Sequence, residues 1–255
     1  MDRFPLQEGA LMHRFYADPA SSDEKCFVLN EEDTHHALRV LRLCPGDEAE
    51  IFFNSLRYLA RIDTVSDRAV TFQPVRLLPS TEPHLHITLF QGIAKGDKMD
   101  WIIQKATELG VFRIVPVVFS RCVIRLDERD TVRKQERWQK IAREAGKQSG
   151  RCSVPEVCAP VALSAVQPLV ASCSHVVVPW EDCAEGGPLS FARHYTALSS
   201  LGIVIGPEGG ISPDEVNFLR SFGCTPITLG PRILRTETAG LAALSVFFGL
   251  YGEME

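Results

Sequence analysis

The period of the hydrophobic pattern changes near residue 84, and this change constrains the fold more than any other feature of the chain. Before it, short apolar stretches alternate with polar residues, and one short helix at 33–42 begins with Asp33 or Thr34 as its cap. Closely spaced alternating segments with a single helix predict a small β-barrel. The predicted strands of this part are 14–16, 25–29, 49–53, 58–62 and 69–72.

Beyond this point, strand-like and helix-like segments follow one another in turn. The segments 175–179 and 201–205 are almost continuously apolar, as expected for strands that are buried on both faces of a sheet. A helix over 213–222 opens with a capping box formed by Ser212 and Glu215. This alternation predicts an α/β fold with a mainly parallel sheet. The remaining predicted strands are 85–90, 114–119 and 226–229.

The boundary between the two patterns is a segment with two prolines and small polar residues, at 77–83, which is typical of a linker. We therefore expect an N-terminal extension at 1–11, a barrel at 12–80 and an α/β domain at 84–255.

The composition argues against several classes of protein. No apolar run approaches the roughly 20 residues that span a bilayer, and the N-terminus lacks the pattern of a signal peptide. We therefore expect a soluble, cytoplasmic protein with no membrane partner. The eight cysteines are scattered, without a C-x-x-C pair, so reduced thiols are expected and a metal site is not.

The charge is distributed unevenly along the chain. The net charge is −5, yet residues 112–151 carry eleven basic and five acidic residues, whereas residues 152–255 carry four basic and ten acidic residues. Such asymmetry is typical of a basic face on an acidic body. A basic face of this kind binds nucleic acid in some proteins and is only solvated surface in others.

Two loops carry the candidate chemistry, and the first is rich in glycine. It runs from Gly206 to Ser212, directly after a buried strand and before a capped helix. Glycines let a ligand approach the backbone closely. The loop lacks the lysine and hydroxyl of a phosphate-binding loop and the spacing of the dinucleotide fingerprint. An ordinary turn and a site for an adenosine-type ligand both remain open.

The second loop, at 229–238, packs two arginines and a glutamate before the last helix. A surface loop with Thr236 as N-cap and Glu237 in the first turn explains part of it. That interpretation leaves the neighbouring apolar residues Ile233 and Leu234 unexplained, because such residues usually cover something. Ligands of open α/β sheets bind at the carboxyl ends of strands, where both loops are expected to lie.

The two loops read G-P-E-G-G-I-S and L-G-P-R-I-L-R-T-E-T-A, and together they resemble the SPOUT superfamily of methyltransferases. More narrowly, the chain resembles the RsmE family of 16S ribosomal RNA uracil-N3 methyltransferases. The blocks at 35–47, 105–111 and 136–151 are also similar to that family, so the likeness runs from residue 12 to the C-terminus. One departure is Cys122, where the family pattern has serine after Arg121.

The resemblance implies a PUA-like barrel followed by a SPOUT domain with a deep trefoil knot, in a homodimer. The last helix, apolar nearly all round, would then lie in a core or an interface. The implied cofactor is S-adenosylmethionine. The residues implied to bind it are Gly206, Pro207, Glu208, Gly209, Gly210, Ile211, Leu229, Gly230, Ile233, Leu234 and Thr238.

For catalysis, the resemblance implies methyl transfer to uracil N3. Arg235 is the first candidate to stabilise the developing negative charge and Arg232 the second. Glu208 or Glu237 is a candidate proton acceptor, with bulk water as the alternative.

The implied partner is 16S ribosomal RNA in the assembled 30S subunit. Candidate RNA-binding residues are Arg14, Arg39, Arg42, Lys95, Lys98, Arg121, Lys147 and Arg151. Three alternatives stay open: a SPOUT enzyme for ribose 2′-O or transfer RNA methylation, a non-catalytic assembly factor, and a nucleotide-binding oxidoreductase. The missing dinucleotide fingerprint disfavours the last of these.

Overall fold

The computed structural model describes residues 12–66, 69–122 and 128–254, which form two compact units. The first unit contains residues up to Thr81 together with Gly150–Ser153, and the second contains Glu82–Ser149 and the chain from Val154 onward. The predicted extension at 1–11 lies outside the described residues. The segment Gly150–Ser153 joins the first unit through its backbone: the Tyr16 hydroxyl donates to the Arg151 carbonyl at 2.8 Å.

The first unit is a five-stranded sheet in the order β1-β3-β4-β5-β2. Strands β1 and β3 run parallel, and the other pairs are antiparallel. Ala17 bridges Leu29, and the Asp18 N–H donates to the Val28 carbonyl at 2.8 Å, so the two edges of the sheet meet and close it as a barrel. The elements are β1 (Arg14–Tyr16), β2 (Phe27–Val28), α1 (Glu31–His35), a π turn (His36–Val40), β3 (Glu48–Phe53), β4 (Leu56–Val65) and β5 (Val70–Leu78).

The first helix begins earlier than the sequence predicted. The Asn30 side chain accepts a hydrogen bond from the Asp33 N–H at 2.8 Å, so Asn30 is the N-cap of α1. The prediction of Asp33 or Thr34 as the cap was wrong, because an asparagine three residues upstream already satisfies a free amide of the first turn.

The second unit is a parallel sheet in the order β12-β10-β11-β6-β7-β8, with β9 beside β7. The predicted α/β fold with a parallel sheet is confirmed. The strands are β6 (His86–Gly92), β7 (Arg113–Val118), β8 (Glu156–Val157), β9 (Val161–Ala162), β10 (His175–Pro179), β11 (Ser200–Ile205) and β12 (Thr225–Ile227). The helices are α2 (Lys98–Leu109), α3 (Glu128–Ser149), α4 (Gln167–Val170), α5 (Pro188–His194), α6 (Pro213–Arg220) and α7 (Thr236–Leu250).

Apolar clusters cover both faces of this sheet. Neighbouring residues of a strand point to opposite faces. In β6, Leu89 belongs to a cluster with Ile103 of α2 and Phe247 of α7. Phe90 belongs to a second cluster with Val216 of α6. The central strands are therefore buried on both faces, which explains their continuous apolar sequence.

The sheet brings two loop regions into direct contact at its carboxyl edge. Strands β6 and β11 are paired neighbours, so Gly92 at the end of β6 lies against the start of the glycine-rich loop. A Cβ at Gly92 would lie 2.4 Å from the Pro207 nitrogen, which is inside van der Waals contact. Only glycine fits here, and the close approach fixes where the loop leaves the sheet.

The predicted capping box of α6 is confirmed. The Ser212 side chain accepts from the Glu215 N–H at 3.3 Å, and Glu215 accepts from the Ser212 N–H at 2.9 Å. Glu215 also accepts from the Ser120 N–H at 2.7 Å. The exit of the glycine-rich loop is thus anchored both to α6 and to the end of β7. Across the described stretches of chain, none of the helices is long and apolar enough to cross a membrane.

Candidate functional site

A cavity of about 410 Å³ opens at the carboxyl ends of β10 and β11. A smaller cavity of about 70 Å³ adjoins it, and both are lined by Glu181, Ile233 and Leu234. The larger cavity is lined by Lys98, Pro179, Glu181, Ile205, Gly206, Pro207, Glu208, Gly209, Gly210, Ile211, Ile233, Leu234, Arg235, Thr236 and Ala239. The two loops singled out in the sequence therefore form one continuous site.

The glycine-rich loop presents its backbone to the cavity because side chains do not fit there. Gly210 has a φ of +74°, and a Cβ at Gly206 would lie 2.6 Å from the Ile211 side chain. The Arg121 guanidinium donates to the Gly209 carbonyl at 3.0 Å and holds the loop from outside. Within the loop the Gly210 N–H donates to the Pro207 carbonyl at 2.9 Å, so hydrogen bonds from inside and outside fix the shape in which the loop faces the cavity.

A buried hydrogen-bond relay ties the two loops together. The Gln91 amide donates to the Thr236 hydroxyl at 2.8 Å, and this hydroxyl donates to the Gly206 carbonyl at 2.6 Å. Thr236 is the first residue of α7, and Arg235 occupies the N-cap position without a side-chain cap hydrogen bond. The prediction of Thr236 as N-cap was wrong, because its hydroxyl serves Gly206 instead of the free amides of α7.

Lys98 at the start of α2 bridges two glutamates, one from each loop. Its ammonium lies 3.2 Å from Glu208 and 3.3 Å from Glu237. Hydrogen bonding to Glu208 raises the pKa of Lys98. Burial disfavours the charged form of Glu208, but hydrogen bonds from the Lys95 N–H and from Lys98 outweigh it, so the pKa of Glu208 is lowered. Glu208 is thus held as a carboxylate.

Most of the residues predicted to bind the cofactor line one of the two cavities. Eight of them line the larger cavity, and Leu229 and Gly230 line the smaller one. Thr238 lines neither of these cavities and is exposed in the first turn of α7. Arg235 lines the larger cavity and Arg232 the smaller. Ile233 is 85% exposed although it lines both, as expected for an apolar side chain that a ligand covers.

Two family models match the chain. The RNA methyltransferase domain matches residues 81–248, and the RNA methyltransferase PUA domain matches residues 29–75. The chain is also 36% identical over 225 residues to a ribosomal RNA small subunit methyltransferase E from Bacillus subtilis (strain 168), covering 86% of this chain and 88% of that protein. The chain belongs to the RsmE family.

Solved structures agree with this assignment. A ribosomal RNA small subunit methyltransferase E from Neisseria gonorrhoeae, bound to S-adenosyl methionine, matches with a TM-score of 0.81 and 32% identity over 94% of this chain and 98% of that one. A putative methyltransferase from Legionella pneumophila in complex with the same cofactor has a TM-score of 0.81 and 30% identity, with the same coverage. This RsmE protein is an S-adenosylmethionine-dependent ribosomal RNA methyltransferase.

The volume and the lining of the site also fit S-adenosylmethionine. Its volume lies within the range of about 300–1,000 Å³ that is usual for small-molecule sites. Ile211 and Leu234 offer apolar walls to a flat base, and the glycine-rich backbone offers polar groups beside them. S-adenosylmethionine supplies a methyl group already activated on a sulfonium. Among the described residues, no group of three or more His, Cys, Asp or Glu side chains is placed to hold a metal ion.

In the first unit of this RsmE protein, the candidate RNA-binding residues differ in their surroundings. Arg39 and Arg42 are exposed. Arg14 pairs with Glu50 at 3.0 Å. Arg151 is only 5% exposed because its segment packs into the first unit, so the expectation that it contacts RNA from the surface does not agree with the structure.

In the second unit, Lys95 is exposed and its side chain remains a candidate RNA contact. Lys98 forms ion pairs with Glu208 and Glu237, and Arg121 donates a hydrogen bond to the Gly209 carbonyl. Lys147 pairs with Glu144 at 2.9 Å, and its side chain is 14% exposed. These three side chains already serve contacts within the fold, so an RNA contact would have to compete with them.

Sequence reasoning missed Gln91 and Glu181, although both belong to the site. Glu181 follows β10, whose carboxyl end lies at the same edge of the sheet as the two loops. The rule that ligands bind at the carboxyl ends of parallel strands could have pointed to it. Gln91 could have been suspected only as a polar residue inside an otherwise apolar strand.

We expect Lys98→Met to weaken the tie between α2 and the glycine-rich loop, and to make stability less dependent on pH. A lowered pKa means that ionised Glu208 stabilises the fold above its ordinary pKa of 4.5, and that this stability is lost as the pH falls through the lowered value. Without Lys98 the pKa of Glu208 moves up. Thermal unfolding between about pH 3 and 7 measures this difference, which should be small because solvent screens the pair.

Lys105→Met is the matched control, since Lys105 pairs with Glu108 within α2 and lines neither cavity. The same pH profile for both variants would contradict the role given to Lys98.

Proposed function

We propose that this enzyme transfers a methyl group to N3 of a uracil in 16S ribosomal RNA. The observation that carries the proposal is Arg235, which lines the larger cavity with its guanidinium engaged in no hydrogen bond or ion pair to any described residue. Uracil N3–H is weakly acidic, so negative charge develops on the base as the proton leaves. A cation at the cavity stabilises that charge more than it stabilises the neutral base.

The other charged groups of the site have supporting roles in this proposal. Glu208 is a weak base, because its pKa is lowered and Lys98 neutralises it. It is therefore better suited to hold the Lys95–Lys98 segment than to accept the N3 proton. Water at the open cavity accepts that proton, and Arg232 at the smaller cavity assists in neutralising the site. Backbone groups of Gly206, Gly210 and Leu229 recognise adenine and ribose.

The proposed substrate is the assembled 30S subunit in the cytoplasm. Arg39 and Arg42 of the first unit and Lys95 of the second are exposed and are proposed to contact phosphates. A uracil within a helix has to leave its stack before it reaches the cavity. Transfer of labelled methyl groups to purified subunits and to naked 16S RNA, both from cells lacking the activity, tests this. Equal labelling of both would contradict the preference for the subunit.

We further propose that the protein is a homodimer joined through α7. One face of this helix is buried in the second unit, while Ala242, Val246, Gly249 and Leu250 line the other and are exposed or half-buried. An apolar stripe of this kind is typical of a helix that packs against a second protein surface. Ile233, which lines both cavities, lies in the loop just before the same helix.

Val246→Glu should convert the dimer to a monomer of 28.3 kDa, because it places a charge in the centre of the apolar stripe. Sedimentation equilibrium measures the change. Val75→Glu is the matched control, since it makes the same exchange at a valine that is 48% exposed on β5 of the first unit, and it should leave the dimer intact. A wild-type protein that sediments as a monomer would contradict the proposal.

The deep trefoil knot is part of the same proposal. After β12 at the edge of the sheet, the chain returns to its centre, where Thr236 meets Gly206 and Gln91, and α7 then packs against β6 and β11. A return from an edge to the centre supports a knotted path only if the chain also passes through a loop, and such threading is rare in general. The boundaries 12–80 and 84–255 remain our proposal for the two domains.

A further inference from the structure

Glu181 lies where the two cavities meet, on the segment that follows β10. Its carboxylate lies 3.0 Å from the position that a Cβ on Gly210 would take, so it rests directly over the glycine-rich loop. The side chain is exposed, and it makes no hydrogen bond or ion pair within the ranges that the structure describes. A carboxylate at a ligand cavity is thus left without a partner among those residues.

None of the positive groups around the larger cavity forms an ion pair with Glu181 within the described parts of the chain. Lys98 is held between Glu208 at 3.2 Å and Glu237 at 3.3 Å, and Arg235 lines the cavity without pairing with Glu181. Arg121 faces the same glycine and directs its guanidinium to the Gly209 carbonyl instead. A ligand with a positive group at this point would give Glu181 the direct partner that the described residues do not provide.

We propose that Glu181 binds the α-ammonium group in the amino-acid tail of S-adenosylmethionine. This inference shares one premise with the proposed function, on which it rests: the cavity binds S-adenosylmethionine. An ammonium offers three N–H donors, whereas a sulfonium offers none, so a carboxylate forms charge-assisted hydrogen bonds with the ammonium alone. An exposed position suits the charged tail, while the less exposed walls formed by Ile211 and Leu234 suit the base.

Calorimetric titration of the RNA-free enzyme tests this with three ligands: S-adenosylmethionine, S-adenosylhomocysteine and 5′-methylthioadenosine. The first two carry the ammonium, and the third lacks the whole tail. Glu181→Gln should raise the Kd of the first two about tenfold, equal to about 1.4 kcal/mol, and leave that of 5′-methylthioadenosine unchanged. Asp182→Asn, which removes the neighbouring exposed carboxylate that lines neither cavity, should change none of the three.

Each other outcome overturns the inference. Equal weakening of all three ligands would assign Glu181 to the nucleoside, and weakening of S-adenosylmethionine alone would assign it to the sulfonium. Unchanged affinities for all three ligands would show that Glu181 is solvated surface and binds no part of the cofactor. All of these leave the proposed function standing, whereas a wild-type protein that binds no S-adenosylmethionine would contradict both.

Discussion

Arg235→Ala should lower kcat by about 10²–10³-fold, the loss that follows removal of one group stabilising a developing anion. The affinity for S-adenosylmethionine should stay nearly unchanged, because the proposed partner of Arg235 is the uracil and not the cofactor. The fold should be intact, since Arg235 is exposed and its side chain makes no cap hydrogen bond to α7. Single-turnover methyl transfer and calorimetry separate the two quantities.

Arg193→Ala is the matched control for this experiment. Arg193 is exposed on α5 and lines neither cavity, so its loss should leave kcat unchanged. Arg232→Ala completes the series and should lower kcat less than Arg235→Ala does, because Arg232 lines only the smaller cavity. A near-normal kcat for Arg235→Ala would remove Arg235 from the chemical step.

Thr236→Val should both destabilise the protein and weaken cofactor binding. The substitution keeps the shape of the side chain but removes the hydroxyl, so the Gly206 carbonyl loses its donor and the buried Gln91 amide loses an acceptor. Leaving buried polar groups unsatisfied costs about 1–3 kcal/mol. In a unit of this size, each kcal/mol lowers the Tm by about 2–4 °C.

Two variants control for effects other than the relay. Thr236→Ser retains the hydroxyl and should restore most of the Tm and the affinity. Thr196→Val makes the same exchange at an exposed position and should change neither. If Thr236→Val melts with the wild type and binds the cofactor equally well, the relay does not hold the two loops together.

The features that the sequence predicted correctly are those that depend on residues close together in the chain. The switch from alternating to continuous apolar segments predicted the two kinds of sheet, because burial on one face or on both sets the pattern within a single strand. The capping box of Ser212 and Glu215 was also predictable, since its partners lie three residues apart. The predicted N-cap of α1 was wrong because Asn30, Asp33 and Thr34 can each cap a helix and lie close together in the chain. The sequence alone does not show which of them does so.

The contacts that complete the site join distant parts of the chain. Gln91 meets Thr236 across 145 residues, and Lys95 meets Glu208 across 113. These pairs follow from the strand order, in which β11 lies between β10 and β6, and alternating segments alone do not specify that order. For the same reason the sequence predicted Lys98 only as a candidate RNA-binding residue, whereas the fold places two glutamates against it.

Methylation of uracil at N3 is tested most directly by the identity of the product nucleoside. Small subunits from cells lacking the activity are incubated with the enzyme and S-adenosylmethionine, and the 16S RNA is digested to nucleosides. Chromatography and mass spectrometry against a 3-methyluridine standard then identify the product. We predict 3-methyluridine with the wild type and nearly none with Arg235→Ala; a methyl group on a ribose or on another base would contradict the claim.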